Sequence, residues 1–250
     1  MQRHALTDEQ WARLEPLLPT RAPGRKATRG DRLFVDAVLF RAKTGIQWRD
    51  LPERFGNWKS VYNRFRNWAA KDVWAHVFRE LQLDVDETAS IVDGSVVRAH
   101  QDASGGKGGS NRMLWDALEE VFRPKIHAIV DAKGRPLHVA LTPGERHEMI
   151  AAPELLDFAR GDALIGDTGY DSNEFRAELK ARGIKAVISS KPERKRKIPK
   201  DRKLYRTRYL VELFFHSLKR FRGIATRFDK TRASYLAFVH VGCICLWLSS

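Results

Sequence analysis

The sequence predicts a mixed α/β sheet with flanking helices, preceded by a helical N-terminal domain that resembles a helix-turn-helix. Three observations point there. From Ile91 onward, short apolar runs and helical patterns follow in the order strand–strand–strand–helix–strand–helix–strand–helix, which suits a mixed sheet with helices packed on it. Before Ile91, apolar residues recur at helical spacing. The 250 residues are enough for one large domain or two small ones.

In chain order, Thr7 opens a capping-box pattern with Gln10, ahead of Trp11, Leu14 and Leu17. Residues 19–30 (PTRAPGRKATRG) form a basic Pro/Gly linker. A second helix is expected from Asp31 to Lys43, burying Leu33, Phe34, Val38 and Phe40 and ending at Gly45. The stretch WRDLPERFGNWKSVYNRFRNWAAKDVW reads as helix, turn, helix, with Gly56 at the turn. Val61, Phe65 and Trp68 face the core, which leaves Lys59, Asn63, Arg64, Arg66 and Asn67 on other faces. Arg and Asn can contact phosphates and read purine edges, so residues 59–67 are the candidate recognition helix. The alternative is a basic solvated helix.

Residues 89–98 give a first strand. His127 to Val130 and Leu137 to Thr142 flank the turn DAKGRP as a hairpin. A helix at 148–160, a strand ending at Asp167, a helix at 173–182 and a strand at 184–189 follow, with the first and fourth strands expected side by side. The basic run at 190–203 reads as a mobile DNA-touching loop, and 206–221 as a helix. The segment SGGKGGS at 104–110 reads as a flexible loop.

Net charge is +14 and the sequence pI is about 10.0. That excess favours a polyanionic partner, most simply double-stranded DNA, with an anionic membrane surface as the other candidate. No apolar run is long enough to span a bilayer and no signal peptide is legible, so a cytoplasmic, nucleoid-associated protein is expected. Tyr235 to Leu248 reads as a buried closing helix. Its Cys243 and Cys245 are two apart, which suits buried thiols rather than a disulfide framework or a zinc site.

The run YRTRYLVELFFHSLK carries Tyr205, Arg208, Glu212 and Lys219 at spacing Y-x2-R-x3-E-x6-K. On a helix these fall within roughly a 60° sector. A carboxylate flanked by cations suits a site holding metal ions and phosphates together, although a solvated face with ordinary ion pairs has the same pattern. Two further acids, Asp93 in SIVDGSVVRAH and Asp167 in ALIGDTGYDS, lie where apolar strands end. Two strand-end acids plus a helical one make a hard-cation site suited to Mg²⁺ or Mn²⁺.

With VRAHQ at 97–101, KIHAIVDAKGRPL at 125–137, LTPGERHE at 141–148 and LKRFRGIATRFDKT at 218–231, this acid set resembles the DDE transposases of bacterial insertion sequences, most nearly insertion-sequence family five. The resemblance implies a ribonuclease-H-like catalytic domain at 86–250 behind a DNA-binding domain at 1–85. It also implies that Tyr205, Arg208 and Lys219 hold backbone phosphates near the cut. Two divalent cations can activate a water or a 3′-hydroxyl and stabilise the leaving oxygen. Asp93 is then the expected bridging ligand, with Asp167 on one ion and Glu212 on the other. The expected activity is cleavage at the element's terminal inverted repeats and transfer to target DNA, by a homodimer on DNA. A regulator that binds DNA without catalysis and a nuclease that cuts without joining are the alternatives.

Other polar residues carry smaller roles. His100 reads as a structural histidine, Glu145, His147 and Glu148 as a loop-to-helix cap, and Asp171 as a cap of the next helix. Trp115 has no assignment. Residues 112–124 (RMLWDALEEVFRP) depart from the family, which there carries a stretch resembling LGRSRGGF. Codons exist for which this peptide, read one nucleotide earlier, gives QNALGRSRGGFST. The departure is therefore read as two compensating frameshifts, expected to impair activity; resequencing the locus tests it.

Overall fold

The computed structural model describes residues 4–19, 30–100, 103, 123–144 and 147–249. The 19–30 linker apart from its ends, the 104–110 loop, Glu145, Trp115 and residues 112–122 of the departing segment lie outside them. The chain divides into two compact units. One comprises 1–83, 99–120 and 218–250, the other 84–98 and 121–217.

The first unit is helical: α1 (Asp8–Leu14), α2 (Asp31–Thr44), α3 (Trp58–Ala70), α4 (Val73–Glu80), and the C-terminal α9 (Arg222–Ala225) and α10 (Arg232–Leu248). Thr7 and Gln10 close the expected capping box at α1. Helix α2 ends at Gly45, whose φ of +71° is left-handed backbone that a residue with a Cβ adopts only with strain. Phe34 and Val38 are buried as expected, whereas Leu33 and Phe40 are half-buried. Helix α10 is apolar on every side because it packs on α2, α3, α4 and α9. Phe238 of α10 stacks on Phe65 at 4.4 Å, and Phe34, Trp68 and Trp74 form an adjoining aromatic cluster. Arg13 and Gln10 donate to the last carbonyls of α10, at Trp247 and Leu248. Residues 218–250 therefore cluster with the N-terminal helices in one compact unit.

The helix expected before Gly56 is instead two short 3₁₀ turns, Trp48–Asp50 and Glu53–Phe55. Pro52 separates them, because it has no N–H to continue a helical ladder. Asn57 caps α3 through its side chain, and Val61, Phe65 and Trp68 are buried on its inner face.

The second unit is a five-stranded mixed sheet in the order β4-β3-β1-β5-β6. Its strands are β1 (Ser90–Val96), β3 (Pro124–Asp131), β4 (Pro136–Pro143), β5 (Ala163–Gly166) and β6 (Lys185–Ile188); the short β2 (Arg98–Ala99) and β7 (Thr226–Arg227) complete the numbering. The β3–β4 pair is the predicted hairpin. Asp131 locks its turn by accepting from the N–H groups of Lys133 and Arg135, while Gly134 at φ +80° makes the left-handed step. β1 runs antiparallel to β3 and parallel to β5, so the first and fourth strands are neighbours as expected.

Helices α5 (Ala152–Leu156) and α6 (Asn173–Ala181) bury Leu155, Leu156, Phe175 and Leu179 in one apolar cluster with Val92, Ile129 and Leu164. The helix expected over 148–160 is a 3₁₀ turn, Glu148–Ile150, followed by the short α5. The helix expected over 206–221 is broken as well: α7 (Arg202–Tyr205), a 3₁₀ turn at Arg206–Arg208, then α8 (Tyr209–Lys219).

Candidate active site

The parallel register pairs Ser90 with Leu164 and Ile91 with Ile165. Asp93 and Asp167 each lie two residues beyond that pairing, and the charge of Asp167 acts on Asp93. Asp167 directly follows β5 and accepts from Gly169 N–H at 2.8 Å, so its carboxylate caps the turn that leaves the sheet. Asp93 lies within β1 rather than at its end, and beyond the last residue that β5 pairs. Glu212 sits in the first turn of α8. The β3–β4 turn approaches that helix closely, since a Cβ at Gly134 would lie 3.2 Å from the Leu210 carbonyl oxygen.

Arg208 joins two of the acids. One guanidinium nitrogen donates to Asp93 Oδ2 at 2.9 Å, and the other to Glu212 Oε1. Burial raises the Asp93 pKa; the Gly94 N–H opposes this, Asp167 adds to it, Arg208 opposes it and Glu212 adds to it. Asp93 therefore senses both other acids. The site is open on the helix side, where the Glu212 side chain is 45% exposed and that of Asp93 18%. The donor chemistry, carboxylate oxygen only, suits a hard divalent cation. Yet among the described residues no three His, Cys, Asp or Glu side chains are grouped closely enough to hold one. With the guanidinium seated between Asp93 and Glu212, closing the three acids on a cation requires Arg208 to move.

Sequence reasoning missed what lies across the strand from Asp93. Gly94 pairs with His127, and a Cβ at Gly94 would meet Lys125 Cε at 2.7 Å and His127 Nδ1 at 3.1 Å. Lys125 pairs with Glu148, which is not the helix cap expected. His127 is fully buried, bonds Thr142 Oγ1 at 2.8 Å through Nε2, and has its pKa lowered to about 4 by burial and by the Lys125 ammonium. Tyr170 is also fully buried, with its hydroxyl lacking a hydrogen-bond partner among the described residues. Burial and then the charges of Asp93, Asp167 and Glu148 raise its pKa far above the phenol value. The signals were present in KIHA and GDTGYD, but cross-strand register alone connects them.

The remaining candidates are distributed as follows. Tyr205 has the Lys200 ammonium 3.3 Å from its ring centroid. Lys219 is exposed and falls in the first unit. On α3, Lys59, Asn63, Arg66 and Asn67 are exposed. Arg64 is half-buried, ion-paired to Asp31 and stacked over Phe34 and Trp68. His147 does cap a turn, accepting from Met149 N–H. His100 is exposed, donates its N–H to the Arg227 carbonyl and packs on Phe228.

Asp171 is not a helix cap, because Ser172 beside it caps α6. Its buried carboxylate instead accepts from Arg176, twice from Arg194, and from Lys191 N–H, all at 2.8 Å. The basic run at 190–203 is thereby tied to the sheet at Lys191 and Arg194.

Comparison with known proteins gives the family. Residues 85–248 match the family described as "Transposase DDE domain", and residues 6–78 match "Putative transposase of IS4/5 family". A protein of Brucella ovis named "Putative transposase for insertion sequence element IS6501" is 39% identical over 127 residues, 50% of this chain and 97% of its own length. The Neisseria meningitidis "Transposase for insertion sequence element IS1106" is 27% identical over 212 residues, 72% of each chain. No solved structure matches. The five-stranded mixed sheet with its helices is the ribonuclease-H-like arrangement that a DDE domain implies. The chain belongs to the DDE transposases of IS4/5-type insertion sequences, whose catalytic domains use divalent metal ions. Among the described residues, no helix is long and apolar enough to cross a membrane.

Proposed function

We propose that Asp93, Asp167 and Glu212 form the metal site at which this transposase cuts the ends of its mobile element and joins them to target DNA. The observation that carries the reading is that Arg208 ties Asp93 to Glu212, while Asp93 and Asp167 each follow the paired stretch of two neighbouring parallel strands by two residues. Two Mg²⁺ ions, or Mn²⁺ in their place, would be held by Asp93 between them and by Asp167 and Glu212 on either side. Such ions supply an activated water or 3′-hydroxyl and a neutralised leaving oxygen.

The chain's own groups do the rest. Arg208 cancels the mutual repulsion of Asp93 and Glu212 and can transfer its fork to a backbone phosphate when a cation replaces it. Tyr205 and Lys219 hold neighbouring phosphates. The open side of the site, where Glu212 is half-exposed, admits the strand. Exposed Lys59, Asn63, Arg66 and Asn67 on α3 contact the terminal inverted repeats as a helix-turn-helix-like reader. Arg64 supports that helix from within through Asp31. Holding two ends together calls for a homodimer on DNA.

The test is an incubation of purified protein with its own flanking DNA ends, a target plasmid and Mg²⁺, beside Glu212→Gln and metal-free samples. Joined products that need both metal and Glu212 are expected. Cutting without joining would mean a nuclease, and specific binding without either would mean a DNA-binding regulator.

A further inference from the structure

Two glycines beside the acids supply room rather than an unusual backbone. Neither Gly94 nor Gly169 has a positive φ. A Cβ at Gly94, next to Asp93, would meet Lys125 Cε at 2.7 Å. A Cβ at Gly169, two residues after Asp167, would lie 2.9 Å from Glu148 Oε2 and 3.0 Å from Asp167 Oδ1. The two missing side chains thus let the Lys125–Glu148 ion pair come up against both strand acids. Glu148 gives Oε1 to the Lys125 ammonium, which leaves Oε2 beside Asp167. His147 Nδ1, at 3.9 Å, is too far from Oε2 to bond it. Tyr170 lies among the same acids. It is fully buried, and its hydroxyl has no hydrogen-bond partner among the described residues. Asp93, Asp167 and Glu148 are the charges that act on it. A buried hydroxyl in that condition is costly to keep and calls for a function.

Resting on the proposed function, we infer that Glu148 is a fourth acid of the cation site, accepting through Oε2 from the hydration shell of the ion that Asp167 holds, with the Tyr170 hydroxyl as a second partner of that shell. Lys125 is a positioning residue, because its hold on Oε1 turns Oε2 towards Asp167. Mg²⁺ bound by few carboxylates keeps several waters, and acceptors that fix those waters raise affinity for the ion. Among the described residues the acids form no ready ligand cluster, which suits action through water rather than on the ion itself. Stability alone is a weak reason for the pair, since apolar residues packed in the place of a buried ion pair often serve as well. It would not explain why a glycine stands close after each strand acid.

The experiment measures Mn²⁺ affinity by electron paramagnetic resonance on the protein bound to its own DNA end, and thermal unfolding of the metal-free protein. Glu148→Gln keeps the shape and can still accept from Lys125, but turns an amide towards the ion. It should bind Mn²⁺ about tenfold more weakly, the loss typical of an outer partner of a metal site. Glu148→Asp keeps the charge but not the reach, and should also weaken binding. Tyr170→Phe should weaken it by a few-fold while the metal-free protein unfolds no earlier than wild type, because the variant removes only a hydroxyl that lacks a partner. Wild-type affinity in Glu148→Gln and Tyr170→Phe, with Asp93→Asn still abolishing binding, would overturn the inference and leave the transposase reading standing. Full affinity in Glu148→Asp beside a loss in Glu148→Gln would overturn it in favour of a diffuse effect of charge. Should Glu148→Gln fail to fold, an unchanged affinity in Tyr170→Phe and Glu148→Asp would overturn it as well. Failure of wild type to bind Mn²⁺ would sink the proposed function and the fourth acid with it.

Discussion

His127 makes the sheet unit sensitive to mild acid. Its ring is fully buried between Gly94 and Thr142, and burial, helped by the Lys125 ammonium, lowers its pKa to about 4 from an ordinary 6.5. Glu148 and Glu154 pull the other way without prevailing. Between those two pH values the unfolded chain carries the proton and the folded chain does not. The neutral ring's contribution to stability is therefore complete above about pH 6.5 and drains away as pH falls towards 4. At about 1.4 kcal/mol per pH unit, that interval corresponds to roughly 3–4 kcal/mol. The assay is urea unfolding at pH 7, 5.5 and 4.5, comparing wild type with His127→Gln. Glutamine can still bond the Thr142 hydroxyl but cannot take a proton, so the other titrating groups cancel in the comparison. Wild type is expected to lose between 2 and 3 kcal/mol more than the variant by pH 4.5, to order of magnitude. Parallel stability profiles for the two proteins would refute the reasoning.

Asp171→Asn removes the charge that Arg176 and Arg194 share, and should destabilise the fold by about 3–5 kcal/mol, with trypsin cutting the 190–203 run faster than in wild type. In Asp171 burial works against ionisation, but Arg194, the Lys191 N–H and Arg176 together hold its pKa well below the carboxylate range. This anchor should accordingly outlast the His127 transition on acidification. Gly134→Val forces a branched residue to φ +80° and against Leu210, so thermal unfolding should show a loss of at least about 1–2 kcal/mol, and strand joining should fall because Leu210 lies in the helix of Glu212. On α3, Lys59→Ala and Arg66→Ala should change stability by less than about 0.5 kcal/mol and reduce the salt dependence of DNA binding. Arg64→Ala should destabilise by about 1–3 kcal/mol, because it removes the ion pair with Asp31 and takes the cation from two aromatic rings.

Local chemistry made much of this fold legible. Helix α2 stops where Gly45 supplies left-handed backbone, and the hairpin turns where Asp131 and Gly134 supply a locked turn. That the first and fourth strands are neighbours was legible because both are apolar runs that have to be buried in the sheet. What was not legible came from distant partners. A basic, Pro-containing run reads as mobile until Asp171, twenty residues before Lys191, is seen to hold it. Ser172 and Asp171 are both good caps in sequence, and only the buried guanidinium groups decide which one caps. The single helix drawn through Tyr205, Arg208 and Glu212 is broken by a 3₁₀ turn, and that break goes with Arg208 reaching Asp93 on a neighbouring strand. The closing helix α10 was recognised as buried, but its partners, the N-terminal helices, lie more than 150 residues earlier in sequence.

The central claim is that three carboxylates, two of them now bridged by Arg208, close on divalent cations. Binding of Mn²⁺ to the protein on its own DNA end, followed by electron paramagnetic resonance, tests it without requiring turnover. Wild type should bind the ion, Asp93→Asn should abolish binding, and Asp167→Asn and Glu212→Gln should each weaken it. Equal Mn²⁺ binding by wild type and all three variants, or none by wild type, would contradict the account.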